Sequence, residues 1–172
     1  MRFHTLLAAL VLVLLSGCQS KEERMLAEIK RAGGSVQIDD DEAGKPVVAV
    51  DLHGSDGTDA LLRRLEGLPR LRRLDLGGTD VTDAGLASLR EMSGLEELNL
   101  STTHVGDEGL EHLTGLNQLR ELGLGGTRVT DAGLVHLRGL KRLERLNLFG
   151  TRVTEEGIQA LSNELPEVDV QH

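Results

Sequence analysis

Cys18 is the single thiol of the chain, and a thiolate is both a nucleophile and a metal ligand. One cysteine excludes an internal disulfide framework. His112 and His136 occupy equivalent positions in successive repeats of the sequence, but zinc wants four ligands in a structural site and three plus water in a catalytic one, and no third ligand accompanies them. The acids Asp39, Asp40, Asp41 and Glu42 are contiguous, without the alternating spacing of a calcium loop, and read as a solvated turn. Ser, His and Asp all occur, yet there is no nucleophile elbow or phosphate-cradling loop. No enzyme, no cofactor and no metal are therefore expected. Binding chemistry has better candidates: Arg73, Glu97, Glu121 and Arg145 share one spacing, and Asp75, Asn99 and Asn147 share another. Phe149 stands beside them as an aromatic anchor of the kind that dominates interfaces, or else packs on the C-terminal end of the fold. Arg128 and Arg152 form a further pair, suited to a ligand carboxylate or simply part of a solvated edge.

These candidates are held by a repeat. Leu71, Leu95, Leu119 and Leu143 follow one another at a constant interval, and the same interval links Leu74, Leu98, Leu122 and Leu146, and again Leu76, Leu100, Leu124 and Leu148. Leu-x-x-Leu-x-Leu ends in a two-residue alternation, which suits a short strand with one face in the core. Arg73, Asp75, Glu97, Asn99, Glu121, Arg145, Asn147 and Phe149 alternate with those leucines and should face solvent. Thr79, Thr103, Thr127 and Thr151 follow, placed to bond backbone groups at the bend out of the strand. Then come Val81-Thr82-Asp83-Ala84-Gly85-Leu86 and its repeats, a capped short helix whose acids, Asp83, Asp107, Asp131 and Glu155, sit at the positive end of the helix dipole. Gly67, Gly115, Gly139 and Asn163 recur where each helix should end and are expected to take the left-handed cap conformation. Residues 47–65 fit the same phase less well and read as a degenerate first repeat. Ahead of them, Met25, Leu26 and Ile29 mark a helix stopped by Gly33-Gly34, and Ser35–Asp39 with Val47–Leu52 flank a turn.

The N-terminus is a separate signal. Arg2 and His4 precede the apolar run Leu6–Leu15, too short to span a membrane as a helix and right for a signal-peptide core. Leu15-Ser16-Gly17-Cys18 resembles a lipobox, in which a large apolar residue and two small ones precede a cysteine that receives a diacylglyceryl group. The formal net charge is −9, and loss of residues 1–17 removes Arg2 and no acid, leaving −10. That balance speaks against nucleic acid and anionic headgroups as partners, and against tight self-association, so a monomer is expected. Trp and Tyr are absent and Phe is present twice, so leucine must build the core.

Residues 47–161 resemble the leucine-rich-repeat family, in the bacterial variety reading Leu-x-x-Leu-x-Leu-x-x-Thr-x-Val-Thr-Asp-x-Gly-Leu. The resemblance implies an α/β solenoid, a short curved horseshoe with parallel strands on the concave side and short helices on the convex side, used for protein recognition. The expected organisation is a lipoprotein signal peptide over 1–17, a lipidated N-terminus with a helix and hairpin cap over 18–46, repeats over 47–161 and a C-terminal cap over 162–172. Five strands stacked at ~4.8 Å give a sheet about 20 Å wide. The expected function is a non-catalytic protein-binding module of a lipid-anchored cell-envelope protein, with a scaffolding role through self-association as the alternative. Similarity to bacterial lipoproteins puts Cys18 at a membrane facing the periplasm, and Gln19, where inner-membrane retention often uses Asp, favours the outer membrane.

Overall fold

The computed structural model describes residues 21–172; the expected signal peptide, Cys18 and Gln19 lie outside them. The chain opens with α1, Lys21–Arg31, whose Met25 and Ile29 enter the core. Strand β1, Ser35–Ile38, pairs antiparallel with β2, Val47–Asp51. Five further strands follow in sequence order: β3 Arg73–Asp75, β4 Glu97–Asn99, β5 Glu121–Gly123, β6 Arg145–Asn147 and β7 Asp169–Gln171. All seven form one sheet in the order β1 to β7, parallel from β2 onward. Six strand spacings make it about 29 Å wide, wider than five strands allow, because β1 and β7 add to the repeats at either end.

The first four returns from strand to parallel strand each pass through a single α-turn: α2 Asp59–Leu62, α3 Asp83–Leu86, α4 Asp107–Leu110 and α5 Asp131–Leu134. Each continues as a 3₁₀ turn. The last return is a full helix, α6, Glu155–Glu164. The fold is thus a leucine-rich-repeat solenoid. Its core is one continuous column of leucines, in which Leu74, Leu98, Leu122 and Leu146 lie stacked and buried at successive rungs. Among the described residues no helix is long and apolar enough to cross a membrane.

Two hydrogen-bond columns set the shape of a rung. Thr79, Thr103, Thr127 and Thr151 donate their hydroxyls to the carbonyls of Leu76, Leu100, Leu124 and Leu148 at 2.6 to 2.7 Å, closing the bend as expected. The left-handed backbone, however, falls one residue before these threonines. Gly54, Gly78, Thr102, Gly126 and Gly150 have positive φ, whereas Gly115, Gly139 and Asn163 do not. The expected glycine caps are thereby corrected: each helical segment leaves through successive tight turns, such as Leu116 N–H to Leu113 and Leu119 N–H to Leu116, which need no left-handed residue. The strain sits instead where the strand must turn outward while its N–H still reaches the next rung, as Gly78 N–H does to Ser101.

The acids of the helical starts also do more than meet a dipole. Asp59, Asp107 and Asp131 each accept two bonds from the next rung, from the backbone N–H and the hydroxyl of Thr82, Thr130 and Thr154 at 2.7 to 2.9 Å. Room for these carboxylates comes from Gly85, Gly109, Gly133 and Gly157, where an added Cβ would lie 2.2 to 2.4 Å from the preceding rung's Asp oxygen. Thr-Asp-x-Gly is therefore a clasp between rungs: Thr donates, Asp accepts, and Gly makes way. The Thr154 bonds hold the Asp131 carboxyl below its ordinary value. Their contribution is present above that ordinary value and is lost as pH falls through the lowered one.

One clasp is incomplete. Gly106 stands where the other rungs have Thr, so Asp83 accepts its N–H at 2.7 Å but no hydroxyl. Gly106 has φ −127, open to any residue, and an added Cβ would meet nothing nearer than 3.5 Å. Gly106→Thr should therefore raise stability by about 1 kcal/mol, from one hydrogen bond and a less flexible unfolded chain. Urea denaturation measures this, and a variant no more stable than the parent would remove the hydroxyl from the account of the clasp.

Candidate functional site

Strand alternation lays the residues that point away from the leucine core out in rows across the rungs, exposed or half-buried except at Ala49, Gly77 and Gly125. The first row is Ala49, Arg73, Glu97, Glu121, Arg145 and Asp169, in register. Arg73 donates to Gln37 on β1 at 2.6 Å, and Arg145 pairs with Glu121. The second row is Asp51, Asp75, Asn99, Gly123, Asn147 and Gln171. Beyond it lie His53, Gly77, Ser101, Gly125 and Phe149 at the ends of the strands. The first row from Ala49 to Arg145 and the second row, with Ser101, line a shallow trough of about 500 Å³.

The second row is occupied with holding its own backbone. Asp51, Asp75, Asn99 and Asn147 each accept the N–H two residues on, from His53, Gly77, Ser101 and Phe149, at 2.8 to 3.0 Å. Asn99 also donates to Asp75 at 3.0 Å, linking two rungs. A side chain that sits at a turn and bonds two residues ahead replaces a backbone partner. Asp75, Asn99 and Asn147 thus have structural employment beside any role toward a ligand, while Arg73, Glu97, Glu121 and Arg145 present charge to the trough.

Phe149 points into solvent and is 72% exposed, so it does not pack against the C-terminal end of the fold. Its N–H is held by Asn147, which fixes the backbone under the ring. Arg128 and Arg152 lie outside the trough on the loops that leave the strands, in a column with Asp80 and His104. His104 approaches Asp80 at 3.6 Å and Arg128 at 3.3 Å. The structure therefore brings Arg73, Asp75, Glu97, Asn99, Glu121, Arg145 and Asn147 onto one face, with Phe149 at its margin and the two arginines on the adjoining rim.

The face extends beyond the expected rungs. Ala49, Asp51 and His53 precede Arg73, Asp75 and Gly77 by one repeat, so stepping back one period along the sequence finds them. Asp169 and Gln171 join from β7, one repeat after Arg145 and Asn147 and in register with them, so stepping forward one period finds these as well. Away from the face, His112 accepts from Arg90 at 3.0 Å. No group of three or more potential metal ligands occurs among the described residues. What the face offers is hydrogen bonding, charge and one aromatic ring.

A family model described as Leucine Rich repeat matches residues 68–89, 94–113 and 141–162. No curated protein matches the chain. Among solved structures, the chain is similar to an internalin (inlF) from Listeria monocytogenes, with 23% identity and a TM-score of 0.54, covering 64% of this chain and 30% of that one. It is similar to an LRR protein of Leptospira interrogans, with 23% identity and a TM-score of 0.51, covering 64% and 27%. A third similarity is to the PEPR1-AtPEP1 structure, with 21% identity and a TM-score of 0.53, covering 79% and 19%. This chain spans less than a third of the length of each.

The two kinds of residue on the face should separate on substitution. Asn99→Ala should cost about 1 kcal/mol, because it frees the Ser101 N–H and an acceptor on Asp75. Phe149→Ala should change stability by no more than about 0.5 kcal/mol, as expected of an exposed side chain. Paired thermal melts check both, and a large loss at Phe149 would mean that the ring is part of the fold.

Proposed function

Taking the chain as a leucine-rich-repeat solenoid, we propose that it is a non-catalytic, lipid-anchored protein of the cell envelope that recognises a protein partner with its concave sheet and adjoining loops. The observation that carries the recognition reading is Phe149, a large apolar side chain left 72% exposed at the margin of an open polar face, while the leucines of every rung are buried. An aromatic ring beside arginines is the composition of interface hot spots. Leucine-rich-repeat folds commonly serve as protein-interaction modules, and a trough of this kind accepts a chain laid across the rungs. The envelope reading rests on Leu15-Ser16-Gly17-Cys18 after an apolar run of signal-peptide length. Cys18 would carry the lipid, the solenoid would face the periplasm, and Gln19 favours the outer membrane. The charge of −9 supports a monomer with a protein rather than a nucleic-acid partner.

Two measurements test the two halves. The first is a crosslinked pull-down from native envelopes, comparing the parent with an Arg145→Glu, Phe149→Ala variant. One partner captured by the parent and lost by the variant is expected; capture of the protein's own copies alone would favour the scaffolding role. For the anchor, metabolic labelling with palmitate should mark the parent and not Cys18→Ala, and equal labelling of both would place the lipid elsewhere.

A further inference from the structure

In a stack of identical rungs, each side chain has its nearest surface neighbours one rung above and below, about 4.8 Å away at the strands. Three charge pairs in this chain respect that spacing. Arg72 meets Glu96 at 4.0 Å, Arg120 pairs with Glu144, and Arg145 pairs with Glu121, in each case one rung apart. The loop column reads Asp80, His104, Arg128, Arg152 and does not. Its first two members meet at 3.6 Å, but its last two are like charges on adjoining rungs. Arg128 and Arg152 are bound by their N–H groups to Val105 and Val129 at 2.9 and 3.1 Å, so the backbones that carry them are fixed next to each other. Among the described residues neither guanidinium has a carboxylate within ion-pair distance; Arg128 has His104 at 3.3 Å.

We propose that Arg128 and Arg152 form a two-rung clamp for an aspartate or glutamate side chain of a partner protein. This deepens the recognition reading above and rests on it. A guanidinium is a planar fork that matches the two oxygens of a carboxylate, and two forks one rung apart offer donors to both. The partner's acid supplies the compensation that the column lacks. In a chain of net charge −9, an acidic segment is repelled by most of the surface and attracted here, which sets the register of docking. Phe149 lies three residues before Arg152 on the same rung, exposed. On the preceding rung Gly125 and Gly126 carry no side chains, and Gly126 N–H is already bonded to the Phe149 carbonyl at 2.8 Å. The ring can therefore take an apolar residue of the segment beside its acid. A segment lying across the rungs presents side chains at this point rather than its terminus.

The test is selection of short random peptides on the full chain in mild detergent and on an Arg128→Gln, Arg152→Gln variant of matching melting temperature. Peptides recovered by the parent should carry Asp or Glu next to an apolar residue, and the preference for the acid should vanish on the variant. The strongest peptide, made with an amidated C-terminus, should bind the parent about tenfold more weakly when its acid is changed to the amide. On the variant that ratio should approach one. Acid-free peptides, or an acid preference undiminished on the variant, would overturn the clamp and leave recognition standing. An effect seen only with a free C-terminus would transfer the site to a terminal carboxylate and overturn the side-chain assignment. Recovery of no peptide would count against recognition and clamp together.

Discussion

A single rung of this solenoid has no means of burying its own leucines. Leu98, for example, is covered only because Leu74 and Leu122 lie in register above and below it, and the same holds along the core column. Stacking is thus the condition for the fold, and its cost in chain entropy is met only by cooperation between neighbours. Once stacking is imposed, the constant period of the sequence becomes a spatial rule. Every polar group on the surface must come to terms with its counterpart one rung away, and most of the hydrogen bonds described above are ways of doing so.

The polar columns divide by whether they close a rung or join two. Threonine to leucine carbonyl at the bend lies within one rung and fixes where the strand ends. Aspartate to threonine at the helical starts joins consecutive rungs outside the sheet. With the sheet and the clasp both joining it to its neighbours, a rung is gripped at two places along the chain. The glycine of Thr-Asp-x-Gly belongs to this grip: it costs helix propensity in every unit, and what it gives in return is space for the neighbour's carboxylate.

This division also explains what can be read from the chain. Leucine columns and the threonine bend follow from local alternation and periodicity, which a sequence displays openly, and the strands of the repeats appear where that pattern places them. The aspartates invite a local reading, as partners of a helix dipole, because their true partners lie almost a full repeat further along the chain and only the stack reveals that relation. Gly106, the one break in the threonine column, is the available signal, since Asp83 and Gly109 remain while the donor changes. Left-handed caps at Gly115 and Gly139 follow from the habit of isolated helices. Here the helical segments are single turns, and the sharp change of direction comes after the strand, at Gly78, Gly126 and their equivalents. On the face, Arg73 to Asn147 are legible from alternation alone. The structural employment of Asp75 and Asn99 is not, because an Asx bond to the residue two ahead leaves no mark distinguishing it from a free surface polar group.

A repeat that compensates its own surface has little left with which to recognise anything. Arg120 facing Glu144, or Asn99 facing Asp75, is satisfied within the stack, and a ligand would have to replace those bonds merely to break even. Specific recognition must then gather where the columns fail to compensate, since only there does a ligand add an interaction that the protein lacks. In this chain those places are Glu97 in the trough, without a partner of its own among the described residues, Phe149 at its margin, and Arg128 with Arg152 on the rim. They are spread over the rungs of β4, β5 and β6, so a ligand touching all of them must run across the stack, and the solenoid's regularity is what makes the exceptions readable.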